Sequence, residues 1–379
     1  MLIPSRRKPL FGSTEPSSSE SYCEMSSHEL IEGDFPIIDS HIHLYAASHL
    51  PGLNWTADLP PDHVLKRQNS VNEYKKTTQS RPHLRGFVFL ETDRKSGLSE
   101  HEWQGPFDEV DFLTRIVRGT PRDGEGHTAE DTKLVLGIVP WAPVPAGPEV
   151  LARYVKQVQQ RCEEKWTLVK GFRYLVQDKP AGLMLQPQFI EGLQWLGDAG
   201  FSFDLGVDAR SGGLHQVHEA CEMMDRVYSG KTLLKIIINH LCKPNLRLTA
   251  SEALGGHPDF DSWKWCVEKI ASFNRAYMKL SGMFSELPPQ REGSPADIAS
   301  LVEQTKPWID VVFTAFGPSR IMFGSDWPVC NVGGPGTEAS WRHWHALINA
   351  ILGSQGLNPE EKARVWSETA VEAYNIKTP

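Results

Sequence analysis

Short runs of Ile, Val, Leu and Phe alternate along the chain with longer stretches whose apolar residues recur at helical spacing, starting at Phe35. The short runs predict strands at residues 36–40, 85–90, 133–139, 168–173, 201–207, 233–238, 277–280 and 320–323. Most are apolar at successive positions, as strands buried on both faces are. Helical periodicity marks residues 149–162, 187–197, 214–228, 259–273 and 295–316 between them, then 341–352 and 359–374 after the last strand. Eight strand–helix alternations predict an α/β fold, a single (β/α)8 barrel of the TIM type with decorated loops. The rival is an open doubly wound sheet, whose dinucleotide-binding version needs a glycine-rich turn after its first strand. Here that strand runs into Asp39-Ser40-His41-Ile42-His43, which disfavours it.

Residues 1–33 are rich in Ser, Glu and Pro and poor in aliphatics, so they read as a disordered leader before a barrel domain over 34–379. The 379 residues suit such a barrel, since the fold runs from about 200 to over 400 residues. Thirty-nine Lys and Arg against 47 Asp and Glu give a net charge of −8, which argues against a nucleic-acid partner. No run approaches the roughly 20 apolar residues of a membrane-spanning helix. Arg6-Arg7-Lys8 is followed by neither an apolar stretch nor a cleavage site, so a secretory signal is not expected. The serines beyond it leave a weak organellar-targeting reading, against which Glu15, Glu20 and Glu24 count. Cys23, Cys162, Cys221, Cys242, Cys266 and Cys330 show no metal-ligand spacing and read as reduced thiols of a cytoplasmic protein. The expected partner is a small-molecule substrate, with a homo-oligomer left open.

In a parallel barrel the chemistry sits at the C-terminal ends of the strands. Alternation along the first strand points His41 and His43 the same way and Ile42 oppositely, so two imidazoles can ligate a metal or hold a substrate oxygen. Glu91, straight after Phe87-Val88-Phe89-Leu90, is either a ligand at the barrel mouth or a helix cap. Arg173 ends the fourth strand and offers a planar fork to a carboxylate or polyol. Lys170 has the opposite parity and faces away. Asp204, between Phe203 and Leu205, is a substrate-binding candidate whose burial would demand a partner. Asn239-His240 ends the aliphatic run Ile236-Ile237-Ile238, and packing alone does not explain that pair. Asp326 follows the eighth strand, with Trp327 beside it as a pocket wall. Ser281-Gly282 is small enough for a substrate to approach, and Trp55 is a candidate lid. His215, His218, His343 and His345 lie on predicted helices and read as surface or packing residues.

No G-x-S-x-G elbow, P-loop or zinc-ribbon spacing occurs. Imidazoles and an aspartate at one mouth can activate water, the carboxylate taking the proton while cations or a metal stabilise the oxyanion. The chemistry predicted is hydrolysis of an activated carbonyl.

His41-x-His43, Lys170-Gly-Phe-Arg173, Asn239-His-Leu-Cys-Lys-Pro244, Lys279-Leu-Ser-Gly282 and Gly324-Ser-Asp-Trp-Pro328, in that order, resemble the amidohydrolase-related (amidohydrolase 2) family. The resemblance runs from about Phe35 onward and is strongest to its sugar-lactonase and dicarboxylate-lactonase branch, with a finer similarity to fungal-type L-rhamnonolactonases. It implies a barrel of the metal-dependent-hydrolase kind and a lactone hydrolase. Asp326 would be the general base, and His41, His43 and His240 would polarise the carbonyl or bind one divalent ion, zinc first, together with Asp326. Arg173 would grip the polar end of the substrate. The branch contains metal-dependent and metal-free forms, so a metal-free site remains an expectation too.

Two departures bear on the metal. The fifth strand offers Asp204 where two-metal relatives carry a histidine, and Lys170 is the sole candidate for their bridging lysine. A two-metal centre is therefore disfavoured. The alternatives are a zinc-dependent decarboxylase of the same superfamily, which would want a flat apolar slot for an aromatic acid, and a non-catalytic binding barrel.

Overall fold

The computed structural model describes residues 35–79, 81 and 83–377; the expected leader and Cys23 lie outside them. Eight parallel strands occur: β1 Ile37–Ile42, β2 Leu84–Leu90, β3 Val135–Val139, β4 Gly171–Arg173, β5 Ser202–Leu205, β6 Lys235–Ile238, β7 Ala276–Leu280 and β8 Ile321–Phe323. A principal helix follows each strand: α1 Val71–Thr78, α2 Gln104–Arg118, α3 Pro148–Cys162, α4 Pro187–Asp198, α5 His215–Tyr228, α6 Pro258–Ala271, α7 Ile298–Phe316 and α8 Ser340–Ser354, with four- and five-residue helices at Ala250–Leu254, Met283–Glu286, Pro359–Ala363 and Thr369–Ala373. No helix among the described residues is long and apolar enough to cross a membrane.

The strands pair in sequence order as β1-β2-β3 and β4 through β8. Hydrogen bonds close both gaps. Lys170 N donates to Ile138 O at 3.0 Å and Ala142 N to Arg173 O at 2.9 Å, joining β3 to β4. Asp326 N donates to His41 O and His43 N to Trp327 O, both at 2.8 Å, joining the end of β8 to β1. Asp39 strengthens this second seam: its Oδ1 accepts Ser325 N at 2.7 Å. Its Oδ2 accepts Tyr74 Oη from α1 and Trp341 Nε1 from α8, each at 2.9 Å.

A register irregularity between Asp39 and Ile42 shifts the alternation of β1. Ile38 therefore points into the barrel, Asp39 out to the helices, and His41 in again. The interior is filled by Ile38, Val88, Val139, Ile237, Tyr277 and Met322 from the strands, against Ala373 and Tyr374 from the chain beyond α8. This last segment seals the end opposite the strand C-termini, where Lys235 Nζ donates to Asn375 Oδ1 at 2.9 Å. A larger apolar layer fills the space between strands and helices.

All eight predicted strands exist, most of them shorter than expected. The fourth keeps only its last three residues, because Glu163–Leu168 folds as a 3₁₀ turn. Lys170 faces away as expected: its Nζ bonds to Asn375 O at 3.2 Å, at the sealed end.

Candidate active site

The strand C-termini converge on a cavity of about 230 Å³, whose lining includes His43, Glu91, Arg173, His240 and Asp326. Asp326 Oδ1 is the hub. It lies 3.5 Å from His41 Nε2, 3.5 Å from His43 Nε2 and 3.7 Å from His240 Nε2. Residues separated by up to 285 positions thus meet because each follows the end of its own strand. Both β6 and β8 hand their functional side chain to a left-handed backbone: φ is +54° at His240 and +59° at Asp326. Leu241, Cys242 and Lys243 continue at +54°, +62° and +46°. Such angles cost non-glycine residues free energy and cluster where a side chain must be aimed.

Each imidazole is held at its far nitrogen. His43 Nδ1 donates to the carbonyls of Leu90 at 3.1 Å and Glu91 at 3.0 Å. His240 Nδ1 shares a hydrogen with Ser281 Oγ at 2.9 Å. His41 Nδ1 faces Lys279 Nζ at 3.2 Å. Burial lowers His240 to about 3 and pushes His41 well below its usual range, so both rings are neutral at physiological pH. Burial also raises the Asp326 carboxyl, but its surroundings, His240 first and Lys243 among them, more than reverse this, and the group stays ionised.

Gly282 makes room for His240. At φ +69°, a Cβ there would lie 2.5 Å from His240 Nδ1, so the glycine lets the imidazole lie flat against the backbone.

The cavity wall carries a buried ion pair, Arg173 Nη1 to Glu91 Oε1 at 3.3 Å. Glu91 Oε2 also accepts Asp93 N at 2.5 Å. Burial raises Glu91 to about 8 despite the arginine. Trp55 stands over His43, ring centroids 5.9 Å apart, with its Nε1 bonded to Thr92 O at 2.6 Å. The anchored indole gives one cavity wall a fixed apolar face.

Two candidates lie elsewhere. Asp204 does not line the cavity: it is fully buried, its Oδ1 2.6 Å from Lys279 Nζ, and both its oxygens accept Tyr374 Oη at 2.9 Å. The partner that its burial demanded exists, and it leaves the carboxylate no free face for a ligand. Trp327 is buried with its ring on Tyr74, centroids 5.4 Å apart, and walls off a depression outside the barrel mouth. Sequence reasoning passed over Lys279 and Lys243. Lys279 carried a readable signal, a charge inside the apolar run Met278-Lys279-Leu280 that mirrors Phe203-Asp204-Leu205.

His41, His240 and Asp326 each offer one donor atom, all within 4.8 Å of one another, so the three can hold one divalent ion. Lys170, at the sealed end, and Asp204, paired with Lys279, both lie outside the cavity lining.

A protein-family profile described as amidohydrolase matches residues 38–376. The chain is 36% identical over 347 residues to the L-rhamnono-gamma-lactonase of Scheffersomyces stipitis, spanning 90% of this chain and 99% of that protein. It is 27% identical to an L-fucono-1,5-lactonase of Burkholderia multivorans over 59% of this chain and 69% of that one. Among solved structures, a zinc-bound amidohydrolase from Burkholderia multivorans superposes with a TM-score of 0.65 at 22% identity, covering 90% of this chain and 99% of its own. The 5-carboxyvanillate decarboxylase of Sphingomonas paucimobilis gives 0.53 at 12% identity, covering 91% of this chain and 100% of its own.

Proposed function

The chain belongs to the amidohydrolase family, and on that premise we propose that it opens a sugar-acid lactone, L-rhamnono-γ-lactone first among candidates, with Asp326 activating the water. The observation that carries this reading is the ionised Asp326 with the imidazoles of His41, His43 and His240 gathered around its Oδ1 at the cavity. Asp326 takes a proton from water as its oxygen bonds to the lactone carbonyl carbon. With Ser281 donating to His240 Nδ1, an Nε2–H of His240 faces the cavity and stabilises the oxyanion. Collapse breaks the ring C–O bond, and the proton held by Asp326 passes to the departing oxygen, giving the hydroxy acid. Arg173 and Glu91 offer a donor and an acceptor side by side, which suits neighbouring hydroxyls of a polyol.

One divalent ion fits His41, His240 and Asp326, and zinc is first by ligand type. Bound there, the ion would polarise the carbonyl as a Lewis acid. The residues also support a metal-free site, since neutral histidines and Arg173 supply donors of their own. Free, buried thiols at Cys162, Cys221, Cys242, Cys266 and Cys330 support a cytoplasmic setting.

The decarboxylase alternative shares only the fold, and the hydrogen-bonding wall of Glu91, Asp93 and Arg173 speaks against a flat aromatic slot. A panel of sugar lactones, assayed with and without chelator and with metal content measured, tests the proposal. Acid release from a deoxy-sugar lactone is the expected result. Inert lactones together with carbon dioxide release from an aromatic acid would overturn it.

A further inference from the structure

Beneath the cavity a line of buried polar groups runs from β5 through β7 to β1 and out to the end of β2. Asp204 Oδ1 accepts Lys279 Nζ at 2.6 Å, and Lys279 Nζ lies 3.2 Å from His41 Nδ1. His41 Nε2 lies 3.2 Å from His43 Nε2, and His43 Nδ1 lies 3.1 and 3.0 Å from the carbonyl oxygens of Leu90 and Glu91. Both ends of the line have a fixed hydrogen-bonding sense. A carbonyl can only accept, so the hydrogen of His43 sits on Nδ1 and its Nε2 carries a lone pair. An ammonium paired with a carboxylate can only donate, so His41 Nδ1 carries the lone pair and its hydrogen sits on Nε2. The two assignments agree where they meet, because His41 Nε2–H then points at the lone pair of His43 Nε2.

We infer that Lys279 is a positioning residue: with Asp204 and Tyr374 behind it, it locks His41 and His43 into a one-directional hydrogen-bond chain. In the metal-free protein the pair is then a closed donor–acceptor unit and not two free imidazole ligands. The usual outer partner of a metal-bound histidine is a group that accepts its other N–H, such as a carboxylate or carbonyl. His43 has that partner. His41 has the opposite one, a donor, and so turns a hydrogen and not a lone pair toward the position an ion would take. The seventh strand thereby tunes how readily the first strand takes a metal. Asp204 contributes by fixing the lysine, which gives the charge inside β5 a use at the site without contact with substrate.

The inference concerns the resting protein and does not depend on which substrate the cavity accepts, so its test uses none. Chelator-treated protein labelled with ¹⁵N-histidine is examined by long-range ¹H–¹⁵N correlation, with His41 assigned through the spectrum of His41→Gln. The expected pattern places hydrogen on Nε2 of His41 and on Nδ1 of His43. Hydrogen on Nδ1 of His41 in the wild-type protein would overturn the inference, and this measurement needs no destabilising variant. The second arm is the double variant Lys279→Met with Asp204→Asn, which removes both halves of the buried pair. It is expected to move His41 toward the Nδ1–H form and to tighten zinc binding, titrated calorimetrically, by about tenfold or more. A folded double variant with the wild-type tautomer and unchanged zinc affinity would equally reject it.

Discussion

Asp39 and Ser325 meet across the seam of the barrel, the carboxylate of β1 accepting the backbone N–H that follows β8 at 2.7 Å. The same carboxylate takes hydrogens from Tyr74 and Trp341, so one buried side chain ties together the first strand, the last strand and two helices. Asp39→Asn would turn an amide hydrogen toward donors. A charged buried hydrogen bond contributes about 1.5–3 kcal/mol, and a loss of that size in urea denaturation is expected. Because Asp326 is the next residue after Ser325, turnover should fall as well.

Asp326→Asn keeps the shape of the side chain and removes its basicity. The rate constant for lactone opening should drop by on the order of 10² to 10⁴, with circular dichroism unchanged. A folded variant of full activity would remove Asp326 from the role of base.

Gly282→Ala tests how the sixth strand's histidine is aimed. The added methyl would lie 2.5 Å from His240 Nδ1, so the ring must rotate away from Ser281 and Asp326. Misplacing a reacting group by about 1 Å costs on the order of a hundredfold, and kcat should fall by that factor. KM should change far less, because Arg173 and Glu91 are untouched.

Acid sensitivity should come partly from a histidine remote from the cavity. His345 stacks on Trp341 at 5.6 Å and on Trp366 at 4.8 Å, and burial lowers it from 6.5 to about 4. The unfolded chain takes up the proton near 6.5 and the folded one does not. The stability that neutral His345 provides is therefore complete above that pH and is lost as pH falls toward 4. Between pH 7 and 5 the loss amounts to about 2 kcal/mol. Unfolding midpoints of His345→Phe and wild type at both pH values should show the difference shrinking by about that amount.

Much of this was legible because barrel chemistry obeys one positional rule. His41, His43, Glu91, Arg173, His240 and Asp326 each close an apolar run, and all but His41 line the cavity directly. α1 and α2 escaped notice because Val71–Thr78 is largely polar and α2 opens with Gln104-Gly105-Pro106. Asp204 and Trp327 went astray for a different reason. Their neighbours in space, Lys279, Tyr374 and Tyr74, lie 75, 170 and 253 positions away, and local alternation cannot announce which of two buried charges faces the other. Reading the lysine in β7 and the aspartate in β5 together, as opposite charges in adjacent stretches of an all-apolar sheet, would have found the pair.

Tyr374 completes the floor of the barrel, yet it is synthesised after every strand it serves. A nascent chain carries Asp204 through 170 and Lys279 through 95 further residues of translation before the phenol that caps them exists. Chains that stop short of Tyr374 would have all eight strands and still lack a settled interior. The order of residues thus places the group that completes the barrel interior behind everything it supports.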